Sequence, residues 1–226
     1  MNKALLGIVT ISTLLFSAPT YELGETLYNQ TCVSCHSEDG KGNSALKLVI
    51  RPRDLTKTIL TQEQSYLIIK DGANHWGARG SIMPTFKSVY NEEYLQSLAL
   101  YVSQKFRSNI KKELQDIENK YQEANDEKMQ KKMLKRGKKI YLRNCFYCHG
   151  TNGTGDGIAT KTTIDPIYAY NLTKSFLTPN QMFLYAKEGG YHWGSANKDM
   201  PSWKKKYDDY TLRSVIKYVT TVLKDK

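Results

Sequence analysis

All four cysteines of this 226-residue chain fall in two Cys-x-x-Cys pairs, Cys32 with Cys35 and Cys145 with Cys148, and a histidine follows each pair at once, His36 and His149. Three chemistries compete for such pairs. A zinc ribbon takes four ligands, from pairs roughly 15–20 residues apart, and gives no role to the trailing histidine. A thioredoxin-type redox motif needs one Cys-x-x-Cys in a βαβ setting, and neither strand-rich runs nor that alternation occurs here. Haem attachment asks for two thiols that add to vinyl groups and an adjacent imidazole that binds iron. That chemistry uses every cysteine and leaves no odd thiol. The pattern points to two covalently bound haem c groups, one in each half of the chain.

The halves are copies. At an offset of 113, Gly24, Leu27 and Tyr28 meet Gly137, Ile140 and Tyr141, and the two Cys-x-x-Cys-His motifs coincide. Gly40 and Gly42 meet Gly153 and Gly155 before four extra residues in the second half move the offset to 117. Beyond them Asp54-Leu55-Thr56-Lys57 meets Asn171-Leu172-Thr173-Lys174, and Gly72-x-x-His75-Trp76-Gly77 meets Gly189-x-x-His192-Trp193-Gly194. Met83-Pro84 then meets Met200-Pro201, and Tyr101-Val102 meets Tyr218-Val219. A register this long means one fold present twice.

The helix signals repeat too. Thr61 with Gln64, and Thr178 with Gln181, read as capping boxes, the second with Pro179 at the first helical position. Gly72 and Gly189 stop those helices, and Asn91 and Asp208 are N-cap candidates for a final helix in each copy. Leu95, Leu98, Tyr101 and Val102 recur at helical spacing in that last helix. The expected fold class is all-α, with two small haem domains, residues 21–106 and 137–226. Each has a thin core of its own, for which a covalently held haem acts as a staple. Residues 107–136 contain no Gly, Pro or Cys and are dominated by charge. Their narrow stripe of Ile110, Leu114, Ile117, Tyr121 and Ala124 predicts a charged helical linker, with a hairpin break near Asn125-Asp126 also open. A straight helix of that length spans about 45 Å, too far for efficient transfer between the haems. A folded linker brings them together.

At the N-terminus Lys3 precedes an apolar run from Ala4 to Phe16 and then Ser17-Ala18-Pro19-Thr20. This matches a secretory signal over residues 1–20. The run is short for a membrane span of about 20 residues, with an uncleaved anchor as the alternative.

The second axial ligand of each iron is expected to be Met83 and Met200, at matching places in the repeat. A thioether on iron raises the potential relative to a second nitrogen ligand. His75 and His192, eight residues before each methionine, are the rival ligands. Otherwise each His-Trp pair donates hydrogen bonds near a propionate or to backbone.

A Cys-x-x-Cys-His motif near the end of a first helix, a late Met-Pro-x-aromatic loop and a closing helix resemble class I c-type cytochromes, here as a tandem di-haem form. The resemblance covers residues 21–106 and 137–226. It implies that Gly24 and Tyr28 pack against Tyr101, that Gly137 and Tyr141 pack against Tyr218, and that a loop proline, Pro52 in the first unit, lies near the haem-binding histidine. Pro166 sits three residues off the corresponding place. The resemblance further implies a periplasmic electron carrier serving a respiratory chain, with a terminal oxidase, a reductase or a quinol-oxidising complex as partner. The alternative is a haem subunit of a redox enzyme, or a di-haem peroxidase with an axial site that opens.

The net charge of +11 is uneven: 0 over residues 21–106, +3 over 107–136 and +7 over 137–226, with Lys3 supplying the rest. Lys204-Lys205-Lys206 is a candidate docking patch for an acidic redox partner. No nucleic-acid motif accompanies the charge, so nucleic acid is not an expected partner. Membrane association is expected only if the N-terminal segment is retained.

Overall fold

The computed structural model describes residues 18–46, 52–106, 126–161, 167–195 and 199–224. Residues 1–17 of the signal-like segment, Pro166 and most of the linker lie outside these residues. Among the described residues all regular elements are helical, and no helix is long and apolar enough to cross a membrane.

In the first unit α1 (Tyr21–Leu27) passes through a π-helical stretch, Tyr28–Cys32, into the single turn α2 (Val33–His36). Two longer helices follow, α3 (Gln62–Asp71) and α4 (Glu92–Lys105). The second unit repeats the plan with α5 (Glu127–Ile140), a π-helical stretch Tyr141–Cys145, α6 (Phe146–His149), α7 (Pro179–Glu188) and α8 (Asp209–Tyr218). Both capping boxes form, at Thr61/Gln64 and Thr178/Gln181. Gly72 and Gly189 close their helices, with φ of 80° and 87°, and Asn91 and Asp208 cap α4 and α8.

The first and last helix of each unit cross in backbone contact. A Cβ on Gly24 would lie 2.1 Å from the Ser97 carbonyl oxygen, and one on Gly137 would lie 1.9 Å from that of Ser214. No larger residue fits either crossing. Beside them the rings of Tyr28 and Tyr101 sit 5.3 Å apart, and those of Tyr141 and Tyr218 sit 5.5 Å apart. The aromatic pairs read from the sequence are therefore in place.

At the described end of the linker Asp126 has extended backbone, and its side chain accepts the Lys128 N–H at 3.0 Å and caps the start of α5. From Glu127 that helix runs without a break into the first helix of the second unit. Residues 107–125, with the apolar stripe expected there, are outside the described residues.

The two units pack on each other about a local two-fold, so that contacts recur at the repeat offset of 117. Asp54 N–H donates to the Gly194 carbonyl at 3.0 Å, and Asn171 N–H donates to the Gly77 carbonyl at 2.8 Å. On the axis the amides of Gln64 and Gln181 exchange hydrogen bonds at 2.8 and 2.7 Å. Each Nε2 also donates to a carbonyl of the other unit, Phe176 at 3.3 Å and Ile59 at 3.0 Å. Each Oε1 accepts its own cap N–H at 2.9 Å as well. Both buried amides are thereby saturated. Ile59 of the first unit is fully buried in the apolar cluster of the second. The geometry is that of an isologous dimer within one chain.

Replacing Gln181 by Glu keeps the capping box but removes both donors that cross the boundary and buries a carboxylate there. The expected loss is about 3 kcal/mol, read from thermal unfolding of the haem-loaded protein. A change under about 0.5 kcal/mol would match an ordinary surface substitution and refute the buried network.

Candidate functional site

Each Cys-x-x-Cys-His motif leaves a π-helical stretch, a widening of the helix that recurs at functional sites. The same irregularity stands at the same place in both copies. Cys32 and Met83 pack against the apolar cluster of the first unit, and Cys145 and Met200 against that of the second. None of the four cysteines is in a disulfide. Burial, with the neighbouring cysteine adding to it, pushes Cys32 and Cys145 up to about 12. Burial and then Asp199 also push Cys148 up. These sulfurs are neutral thiols held at the edge of an apolar interior.

The histidines are held in one tautomer. His36 Nδ1 lies 3.3 Å from the Arg53 carbonyl oxygen, and His149 Nδ1 lies 2.9 Å from that of Tyr170. A carbonyl only accepts, so Nδ1 carries the proton and Nε2 keeps its lone pair. Burial lowers both histidine pKa values, opposed by these hydrogen bonds; at His36 the charge of Arg53 lowers it further. Each imidazole is thus neutral at pH 7 with a free donor nitrogen, the state in which histidine binds iron.

The same two peptide groups reach across the boundary. The group joining Arg53 to Asp54 accepts from His36 through its carbonyl and donates to Gly194 through its N–H. The group joining Tyr170 to Asn171 accepts from His149 and donates to Gly77. Gly77 and Gly194 are glycines for this reason. A Cβ there would lie 2.5 Å from the Asn171 carbonyl oxygen and 2.3 Å from that of Asp54. Each histidine is therefore one peptide group away from the His-Trp-Gly loop of the other unit.

The methionine loops are laced to the helices before them. Phe86 N–H donates to the Ile69 carbonyl and Trp203 N–H to the Ala186 carbonyl, both at 3.1 Å. The Thr85 hydroxyl donates to the Lys70 carbonyl at 2.6 Å and the Ser202 hydroxyl to the Lys187 carbonyl at 2.7 Å. Trp76 and Trp193 anchor the loops from the other side, donating from Nε1 to the carbonyls of Leu67 at 3.1 Å and Leu184 at 3.0 Å. His75 and His192 are exposed and stand edge-on to those tryptophans. The tryptophans fulfil the backbone-anchoring role expected of the His-Trp pairs.

The donor set fits a covalently attached haem. Each unit offers two cysteines, a neutral imidazole fixed by its far nitrogen, and a thioether, with the first cysteine and the methionine bordering one apolar cluster. Among the described residues no group of three or more His, Cys, Asp or Glu converges to hold a metal ion, so the zinc alternative has no ligand set there. Pro52 lies where a loop proline was expected, one residue before the carbonyl that binds His36. In the second unit the corresponding place is Ala169, before Tyr170. Sequence reasoning missed Arg53, Tyr170 and the glutamine pair. Their one available signal was that all sit at the offset of 117.

The residue after each histidine must take positive φ. Gly150 does so at 75°, but the first unit uses Ser37 at φ 65° and ψ 161°. That region is essentially reserved for glycine, and other residues there cost about 1–3 kcal/mol. Ser37→Gly is expected to stabilise the haem-loaded protein by about 1 kcal/mol, seen as a higher melting temperature. A lower one would refute the strain.

Over residues 19–102 and 132–219 the sequence matches the family described as cytochrome c oxidase, cbb3-type, subunit III. A curated relative, the cbb3-type cytochrome c oxidase subunit CcoP of Azospirillum brasilense, is 23% identical over 211 residues, covering 87% of this chain and 60% of that protein. The chain thus spans 60% of the length of the relative it matches. Among solved structures, a chain of the Kuenenia stuttgartiensis reducing HAO-like protein complex Kustc0457/Kustc0458 is 24% identical, with 91% of this chain and 99% of that one covered and a TM-score of 0.45.

Proposed function

The chain belongs to the family of cbb3-type cytochrome c oxidase subunit III, and we propose that it is a two-haem electron-transfer protein with each iron held between a histidine and a methionine. The observation that carries this reading is the duplicated donor set, in which every member of one unit has its counterpart in the other. Cys32 and Cys35 anchor one haem c and Cys145 and Cys148 the other. His36 and Met83 would hold the first iron, and His149 and Met200 the second. Bound haem c supplies a one-electron ferrous/ferric couple. The chain supplies neutral imidazoles, keeps their Nδ1 protons engaged, and presents apolar clusters that exclude water. A histidine and a methionine holding each iron would suit carrying electrons rather than binding a substrate at iron.

The family and its CcoP relative support a place beside a terminal oxidase or a related respiratory complex, on the periplasmic side of the membrane. Docking there would use exposed basic side chains. Lys204 is tied to Glu188, and Lys206 bonds Asn144 and lies over the rings of Trp203 and Tyr207. The expected patch at Lys204–Lys206 is therefore largely engaged within its own unit. Lys128, Lys132, Lys135, Lys138 and Lys139 are exposed along α5 and form a more open basic face toward an acidic partner.

Haem counting on the purified protein tests the first claim: two covalent haems per chain are expected, and one overturns it. In Met83→Ala the thioether–iron charge-transfer band of the oxidised protein should fall by about half, and the reduced variant should bind carbon monoxide. Carbon monoxide binding by the native reduced protein would instead favour a catalytic site. Electron transfer to an acidic partner should slow steeply with added salt. A salt-independent rate would remove the docking role of α5.

A further inference from the structure

The local two-fold fails at several positions beside the expected iron ligands, among them Ser37 against Gly150, Asp54 against Asn171, and position 53. Position 53 is Arg and its counterpart, position 170, is Tyr. Both residues do the same backbone work, accepting from the proximal histidine and passing their neighbour's N–H across the boundary. Their side chains differ in charge. The Arg53 guanidinium crosses to the second unit, donates to the Tyr185 hydroxyl and the Trp193 carbonyl, and lies over the Tyr185 ring. Its Nε is buried and has no hydrogen-bond partner. Tyr170 brings a neutral phenol whose ionisation is suppressed, chiefly by burial.

We propose that Arg53 sets the two haem sites apart in potential, making the His36 site the more oxidising, so that a single electron held by the protein rests there. This inference rests on the two-haem, His/Met reading given above. Two effects act in the same direction. A fixed positive charge beside the His36 imidazole disfavours ferric iron, which carries one more positive charge than ferrous. The charge of Arg53 is felt at His36 and, across the boundary, at the Tyr170 phenol, whereas His149 itself is governed by burial and its hydrogen bond to Tyr170. The second effect is hydrogen bonding. A shorter bond from Nδ1 makes the imidazole a more basic ligand and stabilises ferric iron. That bond is 2.9 Å at His149 and 3.3 Å at His36. Both differences raise the first site relative to the second.

The opposing charge difference beside Arg53, Asp54 against Asn171, is a carboxylate held by the Thr56 N–H and hydroxyl and paired with Lys57 at 3.3 Å. Arg79 donates to the Gly155 carbonyl near the second site. It is exposed and sits beside Asp156, whose carboxyl it helps to hold in the charged form. The net +7 of residues 137–226 is spread over surface lysines and screened within about 10 Å in salt. Arg53 is the charge that combines contact with a ligand's own acceptor peptide and a buried nitrogen.

The test is a spectroelectrochemical titration of the full haem-loaded chain. The native protein should show two one-electron waves. Met83→His, which puts a nitrogen ligand on the first iron, should lower the upper wave and so assign it to the His36 site. Arg53→Met should lower that same wave by about a factor of ten in its equilibrium constant, about 59 mV for one electron, and leave the other in place. Arg53→Lys, which keeps the charge, should retain most of the gap. If Met83→His moves the lower wave, or Arg53→Met leaves the gap unchanged in a protein with both haems, the inference is overturned. If the native chain carries fewer than two haems, or Met83→His moves neither wave, the ligand reading fails instead. The Met83→His assignment stands as a test even if Arg53→Met does not accumulate.

Discussion

The rest of the structure depends on two peptide groups that each do two things. The group between Arg53 and Asp54 accepts a hydrogen bond from His36 and donates one to Gly194; the group between Tyr170 and Asn171 does the same for His149 and Gly77. The orientation of each proximal imidazole is thereby set at the boundary between units rather than within one unit. A shift of one unit against the other would lengthen bonds at both histidines together. Two potential metal sites that are separate in sequence are mechanically one assembly.

The shared boundary also answers a problem of size. Units of this length bury too little surface to be robust alone, and here each lends the other apolar contact. Ile59 completes the cluster of the second unit, and Trp76 of the first packs edge-on against Phe176 of the second. At the centre the paired amides of Gln64 and Gln181 are buried with every donor and acceptor used. A buried polar pair of this kind contributes little net stability against an apolar one. It does define a register, because sliding the units would strand the Nε2 donors of both amides. The same side chains close the capping boxes of α3 and α7, so the helix starts and the boundary are fixed by one set of atoms.

How much of this was legible in the sequence divides along a physical line. Features written in side-chain chemistry were readable: the Cys-x-x-Cys-His motifs, the Thr/Gln capping boxes, the glycines at helix crossings with their tyrosine pairs, and the Met-Pro loops. Each is a local requirement that few residue types satisfy. The boundary was not readable, because its main bonds run between backbone groups that any residue carries. Gln64 and Gln181 were read as cap residues, and nothing in their spacing showed that Nε2 remained free to reach the other unit. Arg53 followed a proline taken as the residue near His36, yet the carbonyl that binds the imidazole is its own. Gly77 and Gly194 were seen only as repeat markers, although the close approach of Asn171 and Asp54 is what excludes a side chain there.

Duplication supplies two equal sites, and equality is what a two-site carrier must escape if electrons are to have a preferred resting place. Most of the repeat cannot change without loss: the helix crossings admit only glycine, and the boundary glutamines saturate each other. Position 53 is free to differ because its structural duty is done by its carbonyl and by the N–H of the next residue. Its side chain can then carry charge without disturbing either bond. The departure from symmetry at position 53 thus lies where the backbone holds the geometry and leaves the side chain free to differ.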